Sequence, residues 1–151
     1  MTIDQLRALI QEAAHDLVDR TDRPHPVTVV IPLPDATRVL SLEAFPEDDA
    51  ERKEVLSVLA AQHMVPANAP CFGFLAEADG PEGEDLMLVV YGARQRGSHL
   101  TAAVLTEDGG LSEFVPAEPL EPTAMPFLQP LQHAVDTAAP PEQSGGLPII
   151  G

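Results

Sequence analysis

Two arginines and a histidine stand close together in the segment YGARQRGSH, residues 91–99, which contains no acidic residue. Arg94, Arg96 and His99 carry side chains of the kind that bind a phosphate or a carboxylate. The segment also lies between two strand-like runs and contains Gly97, a residue type that favours a tight turn. No glycine-rich loop precedes a helix here, so backbone N–H groups would not assist the arginines. We therefore interpret the segment as the solvated tip of a β-hairpin and keep an anion site as the alternative.

Cys71 is the single cysteine of the chain and stands at the start of an apolar run. A nucleophilic cysteine needs a neighbouring base, and His63 and His99 are the candidates. A free cysteine on an apolar strand is more often an inert part of the core, and we predict that role. The alternative is an enzyme or small-ligand binder with a cleft near Cys71, His99 and Arg94. Its candidate ligand-binding residues are Arg94, Arg96, His99, Cys71 and His63.

Five acidic residues share the glycine-containing loop over residues 77–85. Carboxylates on a flexible loop can bind Ca²⁺, but the spacing of an EF-hand loop is absent. The five histidines never stand three or four residues apart, and the chain has no H-E-x-x-H, C-x-x-C, P-loop, dinucleotide-binding or nucleophile-elbow motif. We therefore predict a solvated acidic loop, assign no catalytic residue and no metal ligand, and expect no cofactor.

The balance of charge limits the partners that the surface can bind. The chain carries 24 Asp and Glu against 8 Lys and Arg, a formal net charge of −16. Such a surface repels the phosphates of DNA and RNA and the headgroups of anionic lipids. We expect neither nucleic acid nor membrane as a partner, and instead a protein partner, including a second copy of the chain.

The length of 151 residues fits one domain, which we place at residues 1–138, followed by a flexible C-terminal tail over 139–151. The N-terminal segment carries an acid early and lacks a continuous apolar core, which argues against a secretory signal. No apolar run approaches the ~18 residues of a membrane span. A single cysteine fits a reducing interior. We expect a cytoplasmic protein.

Hydrophobic periodicity divides the chain into helices and strands. Thr2 and Gln5 form a capping box at the start of the first helix. We predict helices over residues 3–19, 46–64 and 129–137, strands over 27–31, 38–45, 71–78, 86–93 and 99–106, and a further strand over 111–115. Four prolines between residues 116 and 126 predict an extended connector that excludes both helix and ladder pairing.

The order of these elements predicts an α+β fold. Its antiparallel sheet has about five strands, with two main helices packed on it, a short C-terminal helix and an extended Pro-rich tail. The order resembles, at the level of topology, the small regulatory modules of the roadblock/longin type, which scaffold and dimerise. The size and acidic charge resemble the chaperones of type III secretion. No sequence motif carries either resemblance, so no residue is carried across from them.

The leading functional hypothesis is a small acidic protein-interaction or regulatory module without catalytic activity, acting as a homodimer. It would use a sheet edge or a helix face, with the Pro-rich segment wrapping over the protein itself or over a partner. Besides the ligand-binding alternative above, a third hypothesis is an acidic nucleic-acid mimic or chaperone-like binder that occupies a basic partner.

Overall fold

The computed structural model of the protein describes residues 2–139, in which a six-stranded antiparallel sheet carries helices on both faces. The strand order is β2-β1-β3-β4-β5-β6. The strands are β1 (Val27–Pro32), β2 (Thr37–Leu42), β3 (Cys71–Asp79), β4 (Asp85–Ala93), β5 (Gly97–Val104) and β6 (Glu118–Pro119). The α+β class and the antiparallel sheet are therefore as predicted.

One face of the sheet is covered by helix α1 (Ile3–Arg20). The predicted capping box is present, since the Gln5 N–H donates to the Thr2 hydroxyl at 3.1 Å and the Thr2 N–H donates to the Gln5 side chain at 2.8 Å. The helix buries one stripe at helical spacing and packs on β3 and β4. The buried residues of the stripe are Leu6, Ile10, Ala14 and Val18.

Helices α2 (Asp49–Leu59) and α3 (Gln129–Asp136) cover the other face. The predicted helix over 46–64 starts later than expected, because the Asp48 side chain caps it by accepting the Glu51 N–H at 3.0 Å. Its last turn, Ala60–Met64, widens into a π-helical turn. A 3₁₀ turn, Pro126–Leu128, leads into α3 and brings Phe127 into the core.

The two central strands, β3 and β4, are almost wholly apolar in sequence because both of their faces are covered. Alternate residues of β3 and β4 point to opposite faces, so Phe74 and Val90 pack under α2 and α3, whereas Leu75 and Val89 pack under α1. Both faces are covered, and each therefore needs apolar side chains.

The region after β5 differs from the prediction. Residues 111–115 do not form a strand: Leu111 makes one bridge to Leu105, and the Val115 N–H donates to the Ala102 carbonyl at 2.9 Å. The expectation that the prolines exclude ladder pairing was wrong for β6, which pairs with His99 and Leu100 of β5. Pro119 is tolerated there because β6 is an edge strand, where a missing N–H removes no bond to a further strand.

The last described residue is tied to the body of the protein. The Ala139 N–H donates to the Asn68 side chain at 2.7 Å, and the Asn68 amide donates back to the Ala139 carbonyl at 3.2 Å. The rest of the predicted tail, residues 140–151, lies outside the described residues.

Among the helices within residues 2–139, none combines enough length with enough apolar character to cross a membrane.

Two glycines mark points where helices approach the sheet closely. A Cβ atom on Gly73 of β3 would lie 2.5 Å from Cδ1 and 2.7 Å from Cγ2 of Ile10 in α1. A Cβ atom on Gly92 of β4 would lie 2.6 Å from the Phe72 ring and would also meet the Gln132 side chain of α3. Both positions therefore require a residue without a side chain.

We predict that Gly73→Ala lowers the free energy of unfolding by about 1–3 kcal/mol, because α1 or β3 must shift to accept the added methyl group. Chemical denaturation followed by circular dichroism measures the change. The control is Gly110→Ala, where the nearest atom would be 3.4 Å from the new Cβ, and we expect a change within about 0.5 kcal/mol. Equal effects of the two substitutions would contradict the close packing of α1 on β3.

Candidate functional site

The segment 91–99 forms the hairpin that joins β4 to β5, as predicted. Its turn contains Gln95 at φ 57° and Gly97 at φ 73°, both left-handed. The tip is docked on the end of α3 rather than wholly solvated. The Arg94 Nε donates to the Ala138 carbonyl at 2.6 Å, and the Gln95 N–H donates to the Asp136 carboxylate at 2.7 Å. Arg94 is thus engaged in holding the C-terminal helix.

Arg96 and His99 both border a groove of about 610 Å³ between the β5–β6 edge and α3. The His99 ring, however, stacks on Tyr91 at a centroid distance of 5.3 Å, and the Tyr91 side chain belongs to the core under α1. The His99 Nδ1 is buried and has no hydrogen-bond partner within residues 2–139. The histidine ring therefore packs against Tyr91 on the sheet face opposite to α3.

Polar groups in the wall of this groove are used by the protein itself. The Gln132 side chain accepts from the Ser98 hydroxyl at 2.8 Å. Its amide donates to the Ala93 carbonyl at 3.1 Å and to the Asp136 carboxylate at 2.8 Å. This network joins α3 to the hairpin.

Cys71 is buried beneath α1, with its Sγ 4.0 Å from the Pro32 carbonyl. Burial raises the pKa of the Cys71 thiol from 9.0 to about 11, so the thiol is protonated at neutral pH. Cys71 lies opposite Ala93, and His99 lies opposite Tyr91, so Cys71 and His99 share a sheet face but are two strands apart. The geometry does not form a nucleophile–base pair.

His63 lies in the π-helical turn near the opposite edge of the sheet, where its carbonyl accepts from Arg38 of β2 at 3.3 Å. Four strand spacings, about 19 Å in all, separate β2 from β5, so His63 and His99 lie beside strands in different halves of the sheet. The structure therefore does not bring Arg94, Arg96, His99, Cys71 and His63 together in one site.

The predicted acidic loop, residues 77–85, comprises the end of β3, a turn and the start of β4, and the carboxylates on its two strands bind an arginine. Arg23 lies 3.2 Å from the Glu77 carboxylate and 2.9 Å from the Asp85 carboxylate. The Glu84 carboxylate accepts the Glu82 N–H at 2.9 Å. Across residues 2–139, no group of three or more His, Cys, Asp or Glu side chains has an arrangement that could hold a metal ion.

The two edges of the sheet differ in whether another segment of the chain covers them. At the β5 edge, the proline-rich segment lies along the strand: the Val115 N–H donates to Ala102 and the Leu120 N–H donates to Ser98, both at 2.9 Å. β6, with Pro119 in it, completes this cover. Proline on an outer strand prevents further pairing, so this edge is protected.

The opposite edge is formed by β2, and within residues 2–139 no further strand pairs with it. The Leu33 N–H donates to the Ala36 carbonyl at 2.9 Å and closes the β1–β2 hairpin. Hydrogen-bonded pairs recur at every second residue of an antiparallel ladder, so Arg38, Leu40 and Leu42 bond to β1. The backbone N–H and C=O groups of Thr37, Val39 and Ser41 therefore point outward from the sheet.

An apolar groove of about 360 Å³ runs beside this open edge, between β2 and α2. Leu40 and Leu42 of β2 line it, together with Val55, Val58 and Leu59 of α2. Val58 is 50% exposed, and Val39 on β2 is 59% exposed. An extended chain paired with β2 would place alternate side chains along this groove.

The predicted site residues do not include any residue of β2, although a sheet edge was expected as an interaction surface. The available signal was that the segment TRVLSL has no acid and no proline, whereas prolines crowd the segment that covers β5. Comparisons of the chain with protein-family models, with curated proteins and with solved structures find no match.

We predict that the titration of Cys71 makes the protein less stable as pH rises from about 9 to about 11. The pKa of the thiol is higher in the folded than in the unfolded state, so the folded state retains the proton longer and loses stability as the unfolded chain ionises. A difference of two pKa units between the folded and the unfolded thiol corresponds to a decrease of about 2–3 kcal/mol in the free energy of unfolding.

The measurement is chemical denaturation at both pH values, with Cys71→Ala as the control. Other groups titrate equally in the two proteins, so the variant should lose about 2–3 kcal/mol less than the unmodified chain over this range. An identical pH dependence in both would show that the thiol is not sealed in the core.

Proposed function

We propose that the protein is a non-catalytic interaction module that binds an extended segment of a partner protein along the open edge of β2. The observation that carries the proposal is the row of outward backbone groups of Thr37, Val39 and Ser41, which lack a strand partner within residues 2–139. A strand edge of this kind binds by adding one more strand to the sheet, with hydrogen bonds between main chains providing affinity.

The contrast between the two edges supports this choice. An exposed strand edge is a hazard, because it pairs with other chains unless proline, charge or a covering segment prevents it. The protein covers the β5 edge with a proline-rich segment but leaves four residues of β2 exposed, Val39 among them. One open edge next to an apolar groove fits a binding surface.

The charge along β2 indicates the kind of segment that it accepts. Asp35 and Glu43 bracket the strand, and the only charged residue between them is Arg38. A basic partner would find no carboxylate to pair with along this edge. A neutral segment that alternates apolar and small polar residues, with backbone donors and acceptors free, complements it best.

The arrangement of the chemically capable residues supports a binding role over a catalytic one. The Cys71 thiol is protonated and buried, and its candidate bases lie elsewhere: His99 is two strands away on the sheet and His63 is near the far edge. A cytoplasmic location is part of the proposal, supported by the single free cysteine.

We predict that peptides selected from a display library of about twelve-residue random sequences bind this edge and show alternating apolar residues. Val39→Lys should weaken their binding by about tenfold or more, because lysine on an outer strand opposes further pairing. Fluorescence anisotropy with labelled selected peptides measures the affinities, and thermal melts establish that the variants are folded.

The matched control is Val115→Lys, which adds the same charge at a valine that is 55% exposed beside the protected edge. This variant should bind the selected peptides as the unmodified protein does. Failure to select any peptide, or loss of binding in Val115→Lys with retention in Val39→Lys, would contradict the proposed site.

A further inference from the structure

We infer that the partner strand at the β2 edge is β2 of a second copy of this chain, paired antiparallel about a two-fold axis that passes through Leu40. This inference rests on the proposed function, since it names the occupant of the same edge. A two-fold interface presents the same surface patch twice and must therefore be complementary to itself.

Only alternate residues of β2 direct their backbone hydrogen-bonding groups away from β1, and this limits the registers in which two β2 strands can pair. Only Thr37, Val39 and Ser41 direct their backbone groups outward, so they must face one another across the interface. This condition requires that one residue of β2 stands opposite itself, on the two-fold axis. The axis can lie at Arg38, Val39, Leu40 or Ser41, since only these positions leave most of the strand paired.

Charge then selects among these four registers. An axis at Arg38 would place the two copies of that arginine opposite each other. An axis at Val39 would bring Asp35 at one end of β2 level with Glu43 of the second copy. An axis at Ser41 would set Val39 against Glu43. Like charges directly opposite each other on paired strands are destabilising, which excludes the axis at Arg38. The axis at Val39 brings two carboxylates level just beyond the ends of the strand, and the axis at Ser41 leaves a carboxylate against an apolar side chain, so both are disfavoured.

The register centred on Leu40 sets no like charges opposite each other. Its charged–apolar pair involves Arg38, whose methylene stem can lie along an apolar side chain while the guanidinium stays in water. Leu40 stands against Leu40, Val39 against Ser41, and Arg38 against Leu42 of the second copy. Leu40 and Leu42 are partly buried and already pack on the core under α2 and α3. Pairing would extend that core across the axis and join the two apolar grooves that contain Val58.

The net charge of the chain gives this pairing a distinctive dependence on salt. Each copy carries a formal charge of −16, so two copies repel each other, although no carboxylate lies between Asp35 and Glu43 on the interface itself. Salt screens this repulsion, since the Debye length falls below ~5 Å near 0.5 M.

We therefore predict that the dissociation constant of the dimer falls by roughly three- to tenfold as salt rises from about 0.05 to about 0.5 M. Sedimentation velocity over a range of concentrations measures it. Val39→Lys should remain monomeric where the unmodified protein and Val115→Lys dimerise. A dimer that salt weakens, or one that forms equally in Val39→Lys, would overturn the inference.

The position of the axis is tested by disulfide formation in Leu40→Cys. Residues opposite each other in a non-hydrogen-bonded pair have Cα atoms about 4.5 Å apart, within the range of a disulfide. Mild oxidation should therefore cross-link L40C into a covalent dimer. V39C should not cross-link to itself, because the two copies of that position would lie about 8 Å apart along the diagonal.

The controls are the unmodified protein and a mixture of two variants that each carry one added cysteine. The unmodified protein should form no covalent dimer under the same oxidation, because its only cysteine, Cys71, is buried. An equimolar mixture of V39C and S41C should form the mixed disulfide. Cross-linking of V39C in place of L40C would overturn the register, and no cross-linking of either would overturn the self-pairing. In both cases, display peptides that still bind in a Val39-dependent way would leave the proposed function standing.

Discussion

The long antiparallel ladder between β3 and β4 is the interaction on which the rest of the structure depends. It joins nine residue pairs, from Cys71 opposite Ala93 to Asp79 opposite Asp85. Both of its faces are covered by helices, so its side chains exclude water in two directions and make two separate cores. α1 is fixed from one side through Gly73, and α3 from the other through Gly92. The outer strands pair outward from this ladder, which therefore sets their positions in the sheet.

The sequence predicts this central part well and the periphery less well, for physical reasons. Apolar runs that need two covered faces, and a helix that begins with a capping box, are signalled by neighbouring residues. The order of strands in the sheet depends on pairing between distant segments, which local patterns do not encode. That is why β2 was predicted as a strand, but its place at an open edge was not. The docking of Arg94 and Gln95 on the end of α3 likewise joins residues more than forty positions apart.

The same distinction applies to the candidate site. The basic segment was recognised correctly as a hairpin tip from its turn residues, while the ties that fix it to α3 required the tertiary structure. Cys71, His63 and His99 carry reactive groups whose use depends on mutual distance, and distance between strands is set by the sheet order. The ladder holds Cys71 and His99 apart with Tyr91 between them, and the proposed function therefore relies on the backbone edge of β2 rather than on these side chains.

The proline-rich cover of β5 has a consequence for how large any assembly can become. A sheet with two uncovered edges can add strands from further chains at both edges and grow into a filament. Here Pro119 and the segment around it cover one edge, which leaves a single edge for another strand within the described part of the chain. In the proposed pairing, the occupied β2 edge leaves no other uncovered strand edge within residues 2–139. Growth of the proposed assembly therefore stops after one added strand, whatever its affinity.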